Sequence, residues 1–136
     1  ALKLRAAELG IGDRVVFAGL VPREQVPAYI AAMDAVVHCS LREGLARVLP
    51  QALLSEKPVV SYDVNGAREV VIPGVTGLLV PPQNHEELVR ALTMVLNHTP
   101  RLRAMAAEGC RRCRDLFDAE RMVGRIVEIY ASIAPR

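Results

Sequence analysis

The residues best suited to chemistry lie in one stretch, from Ser40 to Leu54, with the sequence SLREGLARVLPQALL. It offers a carboxylate at Glu43 and a glycine directly after it. A carboxylate accepts hydrogen bonds from hydroxyl groups, whereas free backbone N–H groups at the start of a helix attract anions such as a diphosphate. The stretch therefore predicts a site for a ligand that carries both hydroxyls and phosphates.

A strand and a helix must position these residues. The apolar run from Ala35 to Cys39 predicts a buried strand just before the stretch, and residues 48–55 predict a short helix inside it. In open parallel sheets, ligands bind at the carboxyl ends of the strands, where a loop leads into a helix. We therefore expect the amides of residues 44–48 to face the ligand, with Glu43 in the same crevice.

The rest of the chain repeats this strand and helix pattern. Short apolar runs without alternation predict three further buried strands, at residues 15–19, 58–62 and 77–80. Helices are predicted up to Gly10, over residues 22–33, from Asn84 to Leu96, from Thr99 onwards, and after Asp118. Strands separated by helices predict an α/β fold, a Rossmann-like parallel sheet with helices on both faces.

Composition narrows the class of protein. The 136 residues suit one domain, and 51% hydrophobic against 24% charged residues is typical of a globular protein. A formal net charge of +2 and 4% aromatic residues disfavour a nucleic-acid polymer as partner. No apolar run approaches the ~20 residues that cross a bilayer, and no export signal is visible, so we expect a cytoplasmic protein. The arginine-rich run 101–114 is predicted to be a solvated helix face, and membrane association stays open.

The cysteines do not indicate a metal or disulfide site. Cys39, Cys110 and Cys113 are odd in number, as fits a reducing compartment. The Cys110-x-x-Cys113 pair lacks the further ligands that a structural zinc ion needs. We expect both to be small apolar residues of a helix, and no metal to be bound.

A family resemblance spans residues 15–117. The chain resembles the C-terminal, sugar-donor-binding domain of the large retaining, nucleotide-sugar-dependent glycosyltransferase family often called group one, which has the two-domain GT-B fold. The residues that carry this resemblance are Val16-Phe17-x-Gly19 with Val21, Tyr29 then Met33-Asp34-Ala35, Ser40-x-x-Glu43-Gly44, Ala52-Leu53, Lys57-Pro58-Val59-Val60, Gly66-x-x-Glu69, and Gly74-x-x-Gly77-x-Leu79-Val80-Pro81.

The resemblance implies roles for the site residues. Glu43 would contact hydroxyls of the donor sugar and is the residue we expect to matter most for catalysis. The donor would be a UDP- or GDP-linked sugar, transferred with retention of configuration, and no cofactor is implied. The remaining donor-binding residues are Gly19 and Val21 near the base, Gly44, Leu45, Ala46, Arg47 and Val48 at the sugar and diphosphate, and Gln51 at the ribose.

Two positions depart from the family pattern. Gln51 stands where the family has a second glutamate, and a neutral amide makes weaker hydrogen bonds to hydroxyls than a carboxylate does. Ala46 replaces the usual glycine, which would restrict the backbone if a positive φ were needed there. Arg47 suits either the diphosphate or solvent, and Glu69 suits either a helix cap or the crevice. His38 suits either a structural hydrogen bond or a ligand.

The resemblance also implies that important parts of such an enzyme lie outside these residues. Acceptor-binding groups would lie on an N-terminal domain, and an Arg and a Lys at the diphosphate would precede residue 1. Two central strands would also precede it, which would separate the strand at residues 15–19 from the strand at 35–39. We therefore expect residues 1–136 to form a single, incomplete domain of a longer enzyme, or a fragment whose isolated fold depends on rearranged or intermolecular strand pairing. No nucleophile or general base is evident in them.

Two other classes of function remain. A non-catalytic nucleotide-sugar-binding or scaffolding module would keep the same site without an acceptor domain. A response-regulator-like module would need an acidic cluster at the strand ends, for which only Asp34 and Asp63 are candidates.

Overall fold

The computed structural model describes residues 1–97 and 100–133, and this part of the chain forms a small parallel sheet surrounded by helices. The strands are β1 (Val36–His38), β2 (Val59–Tyr62) and β3 (Leu78–Val80). The helices are α1 (Leu2–Glu8), α2 (Val26–Ala31), α3 (Val48–Leu54), α4 (Ala67–Val70), α5 (His85–Leu96), α6 (Pro100–Leu116) and α7 (Ala119–Ile133). Two 3-10 turns, Gly12–Arg14 and Arg23–Gln25, complete the described elements.

The sheet has the order β1-β2-β3 and both pairings are parallel. Val36 lies beside Val59 and His38 beside Ser61, while Tyr62 lies beside Val80. Three of the four predicted strands are thereby confirmed, and the fold class is the α/β arrangement predicted from the sequence. Because all strands run the same way, the loops that follow them gather at one edge of the sheet.

Apolar side chains cover both faces of the sheet, and each face has its own core. Val59 packs on one face with residues of α2, α3, α4 and the end of α6, whereas Val60 and Tyr62 pack on the other with α5 and the start of α6. Helix α6 lies close against α3, because Gly109 leaves room for Leu53: a Cβ at Gly109 would lie 2.6 Å from Leu53 Cδ2. Helix α3 is thereby fixed between the sheet and α6.

Several helix ends follow the residues that predicted them. Gly10, just beyond α1, has a φ of +66°, a conformation that glycine adopts without strain. Asn84 Oδ1 accepts a hydrogen bond from the Glu87 N–H at 3.0 Å, and Asp118 Oδ1 accepts one from the Arg121 N–H at 2.8 Å. Thr99, the predicted start of α6, lies outside the described residues.

The predicted strand at residues 15–19 is wrong. This segment is irregular and pairs with no strand among the described residues, and Val16 is 89% exposed. The ammonium of Lys3 lies 5.7 Å from the centre of the Phe17 ring, which is itself partly exposed. A strand needs a neighbour to satisfy its N–H and C=O groups, and composition alone does not reveal whether that neighbour is present.

Helices α6 and α7 differ in burial. Met105, Cys110 and Cys113 of α6 are buried, whereas every residue of α7 is exposed, including Met122 and Ile126 from its predicted apolar stripe.

None of the helices in the described ranges 1–97 and 100–133 is long and apolar enough to span a membrane.

Candidate functional site

The segment between β1 and α3, residues 39–47, forms a loop at the carboxyl edge of the sheet, and we call it the β1–α3 loop. It is in contact with the loop that follows β2: the Gly66 N–H donates a hydrogen bond of 3.2 Å to the Gly44 carbonyl oxygen. The sequence predicted that the residues most suited to chemistry would lie at this edge, and the topology puts them there.

Glu43 is hydrogen-bonded to the last residue of β1. The distance from His38 Nε2 to Glu43 Oε2 is 2.8 Å, and the side chains are 14% and 42% exposed. His38 Nδ1 is buried and has no hydrogen-bond partner within the described residues. The carboxylate of Glu43 is therefore held through one oxygen while much of it remains accessible, and His38 has a hydrogen-bonded role that the sequence left undecided.

Gly44 and Gly66 approach each other more closely than side chains would allow. A Cβ at Gly66 would lie 2.8 Å from the Gly44 carbonyl oxygen, a separation that real Cβ atoms do not show. At Gly44 itself a Cβ would meet no atom within 4 Å. The close approach thus depends on the glycine at position 66, which the sequence analysis identified only as part of the family pattern.

The loop after β2 is braced by an ion pair. The Arg68 guanidinium donates two hydrogen bonds to the Asp63 carboxylate, one of 2.6 Å from Nε to Oδ1 and a second from Nη2 to Oδ2. These bonds hold the pKa of Asp63 below its usual range. Asp63 is therefore occupied by Arg68, and the described residues contain no group of three acidic, histidine or cysteine side chains able to hold a metal ion. The response-regulator reading has no acidic cluster to support it.

Ala46 accommodates the loop without strain. It is 4% exposed and belongs to the core beside Leu49 and Ala52. The described non-glycine residues with positive φ are Glu56, Asn65 and Gln83, so the conformation at Ala46 is one that alanine adopts freely. The replacement of the family's usual glycine does not distort the backbone here.

Helix α3 buries one face and exposes the other. Leu49, Ala52 and Leu53 are 0% exposed, whereas Gln51 is exposed, as is Arg47 just before the helix. Residues spaced by four lie on the same side of a helix, so Arg47 and Gln51 point the same way. The core that fixes one face of α3 thereby orients the other.

That exposed face borders a cavity of about 380 Å³ between α3 and the segment 23–30. Arg47 and Gln51 line it from one side, and Arg23 lines it from the turn before α2. Its remaining lining residues are Val26, Pro27, Ile30, Leu54 and Ser55. The cavity thus combines two guanidinium groups and one amide with an apolar wall. Arg23 was missed from the sequence because nothing in its local pattern shows that its turn faces α3.

The other predicted residues are not brought into this cavity. Glu43 is held by His38, and Gly44 contacts Gly66. Gly19, with a φ of +68°, and the partly buried Val21 lie in the irregular segment before the Arg23 turn. The structure therefore unites Arg47 and Gln51 in one cavity and leaves Glu43, Gly19 and Val21 outside its lining. Leu45 and Val48 pack against the core.

Cys110 and Cys113 serve the packing of α6. The Cys110 thiol donates to the Leu54 carbonyl oxygen at 3.6 Å, and Cys113 lies in the core beside α3. Burial raises the pKa of the Cys113 thiol to about 11, so it remains protonated at neutral pH. Both cysteines are the small buried helix residues that the sequence predicted.

Comparison with known proteins gives one consistent result. The sequence pattern of the family described as "Glycosyl transferases group 1" matches residues 1–112. The chain is 29% identical over 132 residues to "2-deoxystreptamine glucosyltransferase" of Streptomyces kanamyceticus, covering 97% of the chain and 34% of that protein. It is 31% identical over 134 residues to "Lipopolysaccharide core biosynthesis mannosyltransferase LpsB" of Rhizobium meliloti, covering 97% and 38%. The chain thus spans about a third of the length of these relatives.

Two solved complexes of one protein have the same fold as this chain. Anabaena HepE in complex with UDP superposes with a TM-score of 0.90 at 32% identity, and in complex with UDP-glucose with a TM-score of 0.89 at 31% identity. In each case 97% of the chain corresponds to 36% of that protein.

Proposed function

The chain belongs to the group 1 glycosyltransferases, and on that premise we propose that it is the sugar-donor-binding part of a longer enzyme. The enzyme would transfer a sugar from a nucleotide diphosphate to an acceptor with retention of anomeric configuration. The observation that carries this proposal is the cavity beside α3, where Arg23, Arg47 and Gln51 offer cations and a hydroxyl-binding amide together. The complexes of HepE with UDP and UDP-glucose support a ligand of the same class.

Each part of the ligand has a matching group. Gln51 would bind the ribose hydroxyls, and the amides of residues 44–48, with Arg47 and Arg23 beside them, would hold the diphosphate. Glu43 would accept hydrogen bonds from the donor sugar, and Gly19 with Val21 would lie near the base. Carboxylate oxygens only accept hydrogen bonds, so Glu43 suits sugar hydroxyls and disfavours phosphate.

Such a site contributes to catalysis by positioning and electrostatics. Amide dipoles and guanidinium groups fixed before reaction stabilise the negative charge that develops on the departing diphosphate. Holding the donor sugar in one orientation removes part of the entropic cost of reaching the transition state. The acceptor site would come from an N-terminal domain, in keeping with relatives about three times as long as this chain.

Binding is tested by thermal unfolding with UDP, GDP and ADP and with their glucose or mannose conjugates. The measurement is made on the full-length polypeptide that contains this chain and on residues 1–136 alone. A ligand present at a hundredfold excess over its Kd adds about 2.7 kcal/mol to the free energy of unfolding. We expect stabilisation by one nucleotide and a further gain from its sugar conjugate.

The matched variants are Glu43→Ala in the β1–α3 loop and Glu128→Ala on the exposed helix α7. Glu43→Ala should abolish the gain from the sugar and keep the effect of the nucleotide, whereas Glu128→Ala should change neither. A full-length protein that unfolds cooperatively and responds to none of these ligands would refute the proposal. A full-length protein that binds the conjugate but transfers no sugar would favour the scaffolding alternative.

A further inference from the structure

The geometry points to His38 as a positioning residue for Glu43: we propose that the imidazole fixes the carboxylate so that its second oxygen meets the donor sugar. This inference rests on the proposed function, because it takes Glu43 to be the group that contacts the sugar. His38 itself would touch neither the sugar nor the phosphates.

The contact joins a well-held residue to an exposed one. His38 is the last residue of β1 and lies beside Ser61 of β2, so its backbone belongs to the sheet. Its side chain is only 14% exposed, whereas that of Glu43 is 42% exposed on a loop. A hydrogen bond of 2.8 Å between them therefore restricts the Glu43 side chain, which would otherwise sample several rotamers in solvent.

The chemistry of the two groups determines which one donates the hydrogen bond. An ionised carboxylate only accepts, so the shared proton belongs to His38 Nε2, which donates to Glu43 Oε2. Oε1 is not used in this bond and remains available to a ligand hydroxyl. A hydrogen bond to an ionised group is stronger than one between neutral groups, which makes His38 an effective anchor.

Among the described residues, the His38 side chain has no hydrogen-bond partner other than Glu43. Its Nδ1 is buried without a hydrogen-bond partner there, so the contact with Glu43 is the one hydrogen bond that the ring makes. The hydrogen bond runs from a ring that is 14% exposed to a carboxylate that is 42% exposed on the loop, as the positioning role requires.

The test compares three variants in the full-length polypeptide that contains this chain, with UDP and UDP-glucose as probes, or GDP and GDP-mannose if the wild type binds guanine nucleotides. His38→Phe keeps a ring of similar size without a donor, and His38→Gln keeps a donating N–H. His85→Gln, an exposed histidine at the start of α5, is the matched control. The readout is the ratio of the two Kd values, nucleotide over nucleotide sugar, measured by calorimetry.

We expect His38→Phe to lower this ratio about tenfold, because a Glu43 carboxylate that is no longer held in place forms a weaker hydrogen bond to the donor sugar, while the Kd for the nucleotide alone stays the same. His38→Gln should recover most of the ratio, and His85→Gln should not change it. In a Glu43→Ala background, His38→Phe should cause no further loss, because its effect passes through Glu43.

Other outcomes overturn the inference in distinguishable ways. An unchanged ratio in His38→Phe refutes the positioning role and leaves the proposed function intact. Equal losses for nucleotide and nucleotide sugar indicate a structural role for His38, as does a loss that persists in the Glu43→Ala background. If the wild type binds no nucleotide sugar, the proposed function fails and the inference fails with it. Nitrogen-15 NMR of His38 then reports separately on the hydrogen bond from Nε2–H to Glu43, which should be lost in Glu43→Ala.

Discussion

Glu43 and Gln51 lie eight residues apart, yet different kinds of contact hold them. Glu43 is held by His38, five residues earlier at the end of β1, and its neighbour Gly44 is held by Gly66 from the loop after β2. Gln51 depends on the periodicity of α3, whose opposite face is buried against the sheet and α6. The difference implies that the Glu43 end of the site is sensitive to small changes in distant loops, whereas the Gln51 end is sensitive only to loss of the helix.

The largest effect should come from removing the support of α3, which both ends share. Leu53 is 0% exposed, so Leu53→Ala should lower the free energy of unfolding by about 2–5 kcal/mol through lost burial and a cavity. Leu54→Ala is the matched control on the same helix, because Leu54 is 41% exposed and should cost much less. Chemical denaturation measures both. Equal losses for the two variants would show that α3 is not anchored through its buried face.

The next largest effect should distinguish sugar binding at Glu43 from nucleotide binding at Gln51. In Gly66→Ala the new Cβ would lie 2.8 Å from the Gly44 carbonyl oxygen, so the loops must move apart. We expect a loss of about 1–3 kcal/mol of stability and a larger fall in the sugar-dependent part of ligand binding than in nucleotide binding, because Gln51 still contacts the ribose.

Gly124→Ala is the control for the glycine substitution. Gly124 lies in α7 with no atom within 4 Å of a Cβ, so alanine there should stabilise the helix by about 0.5–1 kcal/mol. If Gly66→Ala impairs nucleotide and sugar binding alike, the two ends of the site do not act separately.

A smaller effect should concern nucleotide binding at Gln51 alone. Gln51→Glu introduces a carboxylate on the cavity wall opposite Arg23, and hydrogen bonds from hydroxyls to a carboxylate are stronger than those to an amide. We expect about a fivefold lower Kd for the nucleotide by calorimetry, with the ratio for its sugar conjugate unchanged. Gln25→Glu adds the same charge in the neighbouring turn outside the cavity lining. An equal effect from that variant would attribute the change to charge rather than to ribose contact.

The smallest effect lies away from both ends, on the surface of α6. Hydrogen bonds from Arg111 and Arg112 lower the pKa of Glu108 to about 2 from 4.5. Because the folded state has the lower pKa, the stabilisation is present above pH 4.5 and is lost as the pH falls towards 2. Glu108→Gln should remove this part of the acid dependence in thermal unfolding, and about 1 M salt should diminish the difference. Binding of nucleotide and sugar should be the same in this variant.

The sequence was most informative where a pattern is local. The strands at residues 36–38, 59–62 and 78–80, the helix that carries Gln51, and the helix-capping roles of Asn84 and Asp118 followed from residues a few positions apart. The same type of pattern failed at residues 15–19, where an apolar run with two valines pairs with no strand of the described residues. Strand formation requires a partner from elsewhere in the chain, and that requirement is invisible in the run itself.

The sequence by itself determined the family, three of the strands and most of the helices, and the placing of Glu43 after one strand and of Gln51 on the helix that follows it. Only the tertiary structure decided that His38 binds Glu43, that Gly66 must be a glycine to receive Gly44, and that Arg23 faces Arg47 and Gln51 across a cavity. The physical reason is the range of the interactions. Hydrophobic periodicity and helix capping act between neighbours along the chain. The Gly44–Gly66 contact arises only after parallel strands have brought their loops to one edge of the sheet. The His38–Glu43 bond depends on how the loop after β1 folds back, and the cavity depends on the packing of the segment 23–30 beside α3.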